Sequence, residues 1–177
     1  MRRAMVVLTA LVFAVPISVH AQDKEEKIAS ALSAAPASIT EGATVMDWDM
    51  TVLREGSNDW TCLPDMPDSP GNDPMCLDEP WLELIHGFMN KTDIEVDRIG
   101  FGYMLAGGSP ESNVDPFAEG PTPDNEWLAE PVPHVMMIVP DDAMLEGLPT
   151  TPEGGPWVMW RGTPYVHVMI PLPSHEM

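Results

Sequence analysis

The residues best suited to chemistry in this chain are two repeats of one short pattern. His134-Val135-Met136 and His167-Val168-Met169 each place an imidazole and a thioether two positions apart. Both triplets sit in apolar, β-branched stretches that read as strands. Strand alternation puts the His and Met of each pair on one face, about 7 Å apart along the chain. On neighbouring strands the four side chains would offer two nitrogen and two sulfur ligands, a soft set that suits copper as Cu(I). The competing account is packing, because methionine is first of all a flexible core filler and the chain carries 14 of them. On the second strand Val166, Val168 and Ile170 read as the core side, which leaves Tyr165, His167 and Met169 on the outer face.

Cys62 and Cys76 are the only two cysteines. In an oxidising compartment a lone pair forms a disulfide, and a closed loop of about 15 residues contributes ~3 kcal/mol in the chain-entropy model. The thirteen residues between them do not match a paired zinc-ligand spacing. Common catalytic signatures are missing: no Gly-x-Ser-x-Gly elbow, no His-Glu-x-x-His, no Walker loop and no Cys-x-x-Cys. The 28 acids must bring some carboxylates close together, which keeps a carboxylate-pair hydrolase open as an alternative, but spacing alone does not single out a pair.

The acids outnumber 8 Lys and Arg, for a formal net charge of -20. This excludes a nucleic-acid binder, which needs clustered bases to neutralise phosphate, and disfavours a helix on an anionic membrane. Residues 1–21 have the parts of a secretory signal: Arg2-Arg3, an apolar run over residues 4–15 broken by Thr9, and Val19-His20-Ala21 as a small-residue cleavage site. The apolar run is shorter than the roughly 20 residues of a membrane span. Cleavage after Ala21 would leave residues 22–177 as one globular domain, periplasmic or secreted, without membrane insertion. Leu, Ile, Val and Phe there stand near the ~20% level associated with disorder. The Met and Trp content lifts the large apolar set above it, so the chain is expected to fold around a core rich in both.

The elements that would position these groups are legible in outline. Asp23 with Glu26 makes a capping box for a first helix, lined by Ile28, Ala31, Leu32 and Ala35 and ended by Pro36. Strands are expected over residues 44–48 and 50–55, ahead of a rigid stapled loop, residues 62–76, in which Pro64, Pro67 and Pro70 recur at the polyproline period. Asp78-Glu79-Pro80 starts a second helix with Trp81, Leu84, Ile85 and Phe88 as its buried stripe and His86 on its solvated side. Residues 98–106 read as a central strand whose Gly100 and Gly102 mark a bulge or a close backbone approach. Residues 107–131 form a long Gly/Pro-rich loop, pinned by Phe117 and Trp127. Strands follow over residues 134–139, 157–161 and 165–170, with a short helix capped by Asp141 or Asp142 after the first. The fold class is α+β: a mainly antiparallel sheet with two helices packed on one face.

Five segments together are distinctive: Ser33-Ala34-Ala35-Pro36, Trp60-Thr61-Cys62-Leu63-Pro64-Asp65, Pro70-Gly71-Asn72-Asp73-Pro74-Met75-Cys76, Tyr103-Met104-Leu105-Ala106-Gly107-Gly108 and Gly155-Pro156-Trp157-Val158-Met159-Trp160. They resemble a family of small exported bacterial proteins, over nearly the whole chain after residue 21. The resemblance implies a periplasmic setting and carries no activity, cofactor or catalytic residue. His134, Met144, His167 and Met169 also resemble the spaced His/Met pattern of periplasmic copper chaperones, with each gap off by a residue and no counterpart for the Cys-stapled half. The reading that covers these features is a non-catalytic, exported, acidic binding or interaction protein, engaging a small molecule or protein partner through residues 107–131 and exposed Trp and Met. Copper handling at the two His-x-Met pairs is its alternative.

Overall fold

The computed structural model describes residues 19–129 and 131–173, with side chains from residue 23. Most of the expected signal, residues 1–18, lies outside the described residues. Among those described, no helix is long and apolar enough to cross a membrane. Helix α1 spans Val19–Leu32, and Pro36 beyond it caps the short α2, Ala37–Thr40. Then come β1 Thr44–Met46, β2 Val52–Arg54, β3 Thr61–Leu63, β4 Met75–Leu77, α3 Glu79–Asn90, β5 Gly100–Met104, β6 Glu111–Ser112 and β7 Trp127–Leu128. The chain ends with β8 His134–Ile138, a 3-10 turn Asp142–Leu145, β9 Trp157–Met159 and β10 His167–Pro171.

Eight strands form one sheet in the order β2-β1-β3-β4-β5-β8-β10-β9, while β6 and β7 pair as a separate ribbon. Every neighbouring pair in the large sheet is antiparallel except β1 with β3. The α+β class is therefore observed. The packing of the helices differs from the expectation of a single covered face. Trp81 and Leu84 of α3 join Leu77, Met136 and Met169 in the main core, whereas Ala31 of α1 packs with Cys62, Cys76 and Val45. Cys76 and Leu77 are adjacent on β4, so their side chains point to opposite faces; the two helices cover opposite sides of the sheet. A third cluster, Leu145, Val158 and Val168, lies under the 3-10 turn. Its Val158 and Val168 alternate with Trp157, Met159 and Met169 of the main core, so both faces of β9 and β10 are buried.

Helix α3 begins as its sequence dictates. Asp78 is the N-cap, with its side chain accepting the Trp81 N–H at 3.1 Å and Pro80 in the first turn. The other carboxylate oxygen accepts the Phe101 N–H at 2.7 Å, tying the helix start to β5. Gly102 on that strand is needed for close approach: an added Cβ would stand 2.9 Å from Leu77 Cδ2 and Met136 Cε and 3.4 Å from the Trp81 ring. One ladder row therefore runs Leu77, Gly102, Met136, Met169, Trp157 across five strands, with Trp81 seated above the gap at its second place.

The cysteines are bonded as expected. Cys62 and Cys76 face each other directly on β3 and β4 with Cα atoms 4.0 Å apart, both fully buried under α1. The bond closes 14 residues of sequence separation, including the proline-rich loop between the strands. Replacing both cysteines by Ala should lower the unfolding free energy by about 3 kcal/mol, in line with loop-closure entropy. Urea denaturation followed by tryptophan fluorescence reads this, and a loss below about 1 kcal/mol would mean that the loop is held by its other contacts.

Candidate functional site

A cavity of about 390 Å³ opens on the α3 face of the sheet, within the size range of small-molecule sites. Its floor is methionine. Met75, Met104, Met136 and Met169 come from β4, β5, β8 and β10, with Met66 added from the stapled loop. All four on the sheet are at most 8% exposed. One wall is the buried stripe of α3, where Trp81, Leu84, Ile85 and Phe88 recur at helical spacing. Trp48 and Trp160 complete the aromatic lining.

Two loops make the roof. Residues 66–70 and Asp73 belong to the stapled loop, while Ser109, Pro110, Glu111 and Ala118 belong to the segment expected as a long excursion. They touch where Gly71 passes Ser109: the Gly71 N–H donates to Ser109 Oγ at 3.2 Å, and Ser109 in turn donates to Asp73 Oδ2. A Cβ on Gly71 would stand 2.3 Å from the Gly108 carbonyl oxygen, so only glycine allows the two loops this close. Asp73 also accepts the Met66 N–H at 2.8 Å, and its own N–H donates to Asp65 at 2.7 Å.

The segment 107–131 is anchored rather than free over its described residues. Strands β6 and β7 pair Glu111 with Leu128 and Ser112 with Trp127. Buried Asn113 accepts the Trp157 indole N–H at 2.9 Å and donates to the Thr150 carbonyl at 2.6 Å. The Trp160 indole N–H donates to the Ser112 carbonyl at 2.8 Å. Phe117 stacks on Phe88 at 5.3 Å between centroids, and Phe88 on Trp160 at 5.6 Å, with Lys91 Nζ over the outer face of Phe117 at 4.9 Å. Phe117 pins the segment as expected, and the β6–β7 ribbon supplies the rest.

The cavity lining is acidic, with Asp68, Asp73 and Glu111 and, among the described residues, no Lys or Arg. Glu111 is half-buried with its carboxyl end inward; burial first, then the nearby Asp73 charge, pushes its pKa up to about 8. Among the described residues no hydrogen bond or ion pair satisfies that carboxyl. Burial also raises Asp65, whose neighbour Asp73 adds to the shift through its charge. His167 is 2% exposed; burial pulls its pKa down to about 4, opposed by its hydrogen bond to Tyr165 and aided by His134. Its Nδ1 donates to the Tyr165 carbonyl at 2.9 Å, so the neutral ring keeps its lone pair on Nε2. The Trp81 indole N–H is buried with no acceptor, an unsatisfied donor in the packed interior.

All four proposed soft ligands lie on this face of the sheet. Met136 sits opposite Met169, with His134 one position to one side and His167 one to the other. The two histidines are thus separated by four residues of strand, about 13 Å. His167, Met136 and Met169 line the cavity and His134 does not. The His134 Nδ1 donates to the Val132 carbonyl at 2.7 Å, and its ring lies beside Gly108; burial lowers its pKa as well. The expectation that Tyr165, His167 and Met169 face outward is overturned, since all three are at most 3% exposed in the main core. Met144, by contrast, is 57% exposed on the 3-10 turn, away from the other three. His86 is half-buried, with an unpartnered Nε2, and not solvated. Among the described residues no three His, Cys, Asp or Glu are placed to hold a metal ion, so any metal here would rest on thioethers.

Sequence reasoning did not find Glu111, Asp73 or the cavity itself, whose lining comes from segments far apart in the chain. No family model, curated protein or solved structure matches this chain.

The two perturbed groups act on stability with definite signs. Folding holds the His167 pKa near 4, below its ordinary 6.5, so its contribution is intact above 6.5 and is lost as pH falls towards 4. Glu111 keeps in the native state a proton that the unfolded chain releases above about 4.5; its contribution is lost as pH rises from there to 8. Glu111→Gln should therefore flatten the decline in stability between pH 6 and 8 and raise the melting temperature at pH 8. Thermal melts of both proteins at pH 6, 7 and 8 check this, and parallel curves would take the Glu111 carboxyl out of the dry interior.

Proposed function

We propose that this chain is an exported, non-catalytic binding protein that holds a small, largely apolar molecule between α3, the methionine floor and the two roof loops. The observation that carries the reading is the cavity of about 390 Å³, lined by five methionines and three tryptophans and by the Glu111 carboxylate. Thioethers on flexible stems adapt to ligand shape, and aromatic faces add contact area at low entropic cost. The disulfide supports an oxidising compartment, in keeping with the secretory signal read over residues 1–21. Both oxygens of Asp73 are occupied in holding the roof, which favours binding over hydrolysis.

A soft metal ion is the second reading, because His167, Met136 and Met169 line the same chamber with the His167 Nε2 lone pair free. The volume argues for the organic ligand, since one ion would leave most of the chamber empty.

Ala118 lines the cavity from the roof, so Ala118→Trp should fill the entrance. Affinity for the neutral fluorescent probe N-phenyl-1-naphthylamine should fall about tenfold or more, equivalent to about 1.4 kcal/mol, with the melting temperature nearly unchanged. Equal probe binding by both proteins would place the probe elsewhere and count against the cavity. For the metal reading, competition against a Cu(I) chelator should weaken on His167→Ala combined with Met169→Leu, and an unchanged affinity would dismiss it.

A further inference from the structure

We infer that the cavity selects a hydrophobic organic cation, its apolar body among the aromatic rings and its charged nitrogen against Glu111 and Asp73. This rests on the binding reading above and narrows its ligand class. The inference starts from a charge imbalance. Glu111, Asp73 and Asp68 line the chamber, and among the described residues no Lys or Arg does. Four bases are engaged elsewhere: Lys27 with Asp47, Arg54 with the Thr40 and Ala43 carbonyls, Arg98 with Glu79, and Arg161 with the Leu145 carbonyl. Lys91 lies over Phe117 on the outer side of the aromatic stack. A partly buried acidic group with no base beside it is stabilised in its ionised form by a cation.

The rest of the lining fits the same ligand. Trp48, Trp81 and Trp160 contribute indole rings to the lining, and aromatic rings attract a desolvated cation. An anionic ligand would meet Glu111 and Asp73 with no compensating charge. A net charge of -20 over the whole chain steers cations towards the molecule and repels anions.

Protonation sets the pH dependence. Glu111 feels the charge of Asp73 from the stapled loop, to which Asp65 is hydrogen-bonded, and shares the lining with Asp68 and with His167 of the sheet; α3 lines the cavity only with apolar and aromatic side chains. His167 is uncharged at neutral pH because burial depresses its pKa to about 4. Burial and then the Asp73 charge push the Glu111 pKa up to about 8, and a bound cation favours its ionised form.

Calorimetric titration of the oxidised, full-length mature protein with three compounds sharing one skeleton tests the inference: 1-naphthylmethylamine, 1-naphthylmethanol and 1-naphthoic acid. At pH 7.5 the amine should bind about tenfold more tightly than the alcohol, and the acid should bind most weakly. Glu111→Gln should remove the amine's advantage and leave the alcohol's affinity in place. With the permanently charged 1-naphthylmethyl-trimethylammonium, wild-type affinity should rise between pH 6.5 and 9, while the Gln variant stays flat. Equal binding of amine and alcohol by the wild type would overturn the cation preference and leave the cavity reading standing. Failure of all the naphthyl compounds to bind would overturn both.

Discussion

One carboxylate joins the parts on which the site depends. Asp78 caps α3 through the Trp81 N–H and holds β5 through the Phe101 N–H, and its backbone N–H donates to the Phe101 carbonyl at 3.1 Å. Burial raises its pKa despite those two N–H donors, a measure of how far this joint is taken out of water. With the helix start fixed to the central strand, Trp81 can only descend over Gly102. The absence of a side chain there lets the helix approach closely while Leu84, Ile85 and Phe88 stand over the methionines. Helix α3 is thus both a covering layer and a cavity wall.

The sheet divides its two faces between different tasks. On the α1 side, alanines, Val45 and the disulfide make a tight layer of small groups. On the α3 side, Trp, Met and His side chains surround open volume. The disulfide is displayed on the first face, yet the loop it closes reaches over the second and forms part of the roof. The staple and the cavity are therefore connected through the backbone of β3 and β4 and share no side-chain contact surface. The ribbon of β6 and β7 completes the roof and is fixed to β9 through Asn113, which ties two tryptophans to one loop.

What the sequence revealed was set by how local each signal is. Helix α3 was readable because its N-cap, proline and apolar stripe all lie within a dozen residues. The disulfide needed only compartment logic and a count of two cysteines. Strand β4 escaped because Met75, Cys76 and Leu77 are all buried; a strand covered on both faces shows no alternation. The same cause reversed the assignment of His167. Val166, Val168 and Ile170 do face a core, but a small one, while His167 and Met169 face the main one. The ribbon strands are two residues each, too short for any periodicity. Glu111 looked like one acid among many, because its environment is built by Asp73 and Met66 of the stapled loop, which lie outside its own segment.

The methionine floor also grades the molecule by its resistance to oxidant. Sulfoxidation turns a thioether into a polar, chiral group, and a floor altered in this way would no longer suit an apolar guest. Met136 and Met169 are at most 5% exposed beneath the helix and roof, whereas Met144, Met89 and Met50 are 57%, 45% and 43% exposed at the surface. Oxidants arriving from solvent would meet the outer sulfurs first. The exposed sulfurs of Met144, Met89 and Met50 would therefore be spent before those of Met136 and Met169.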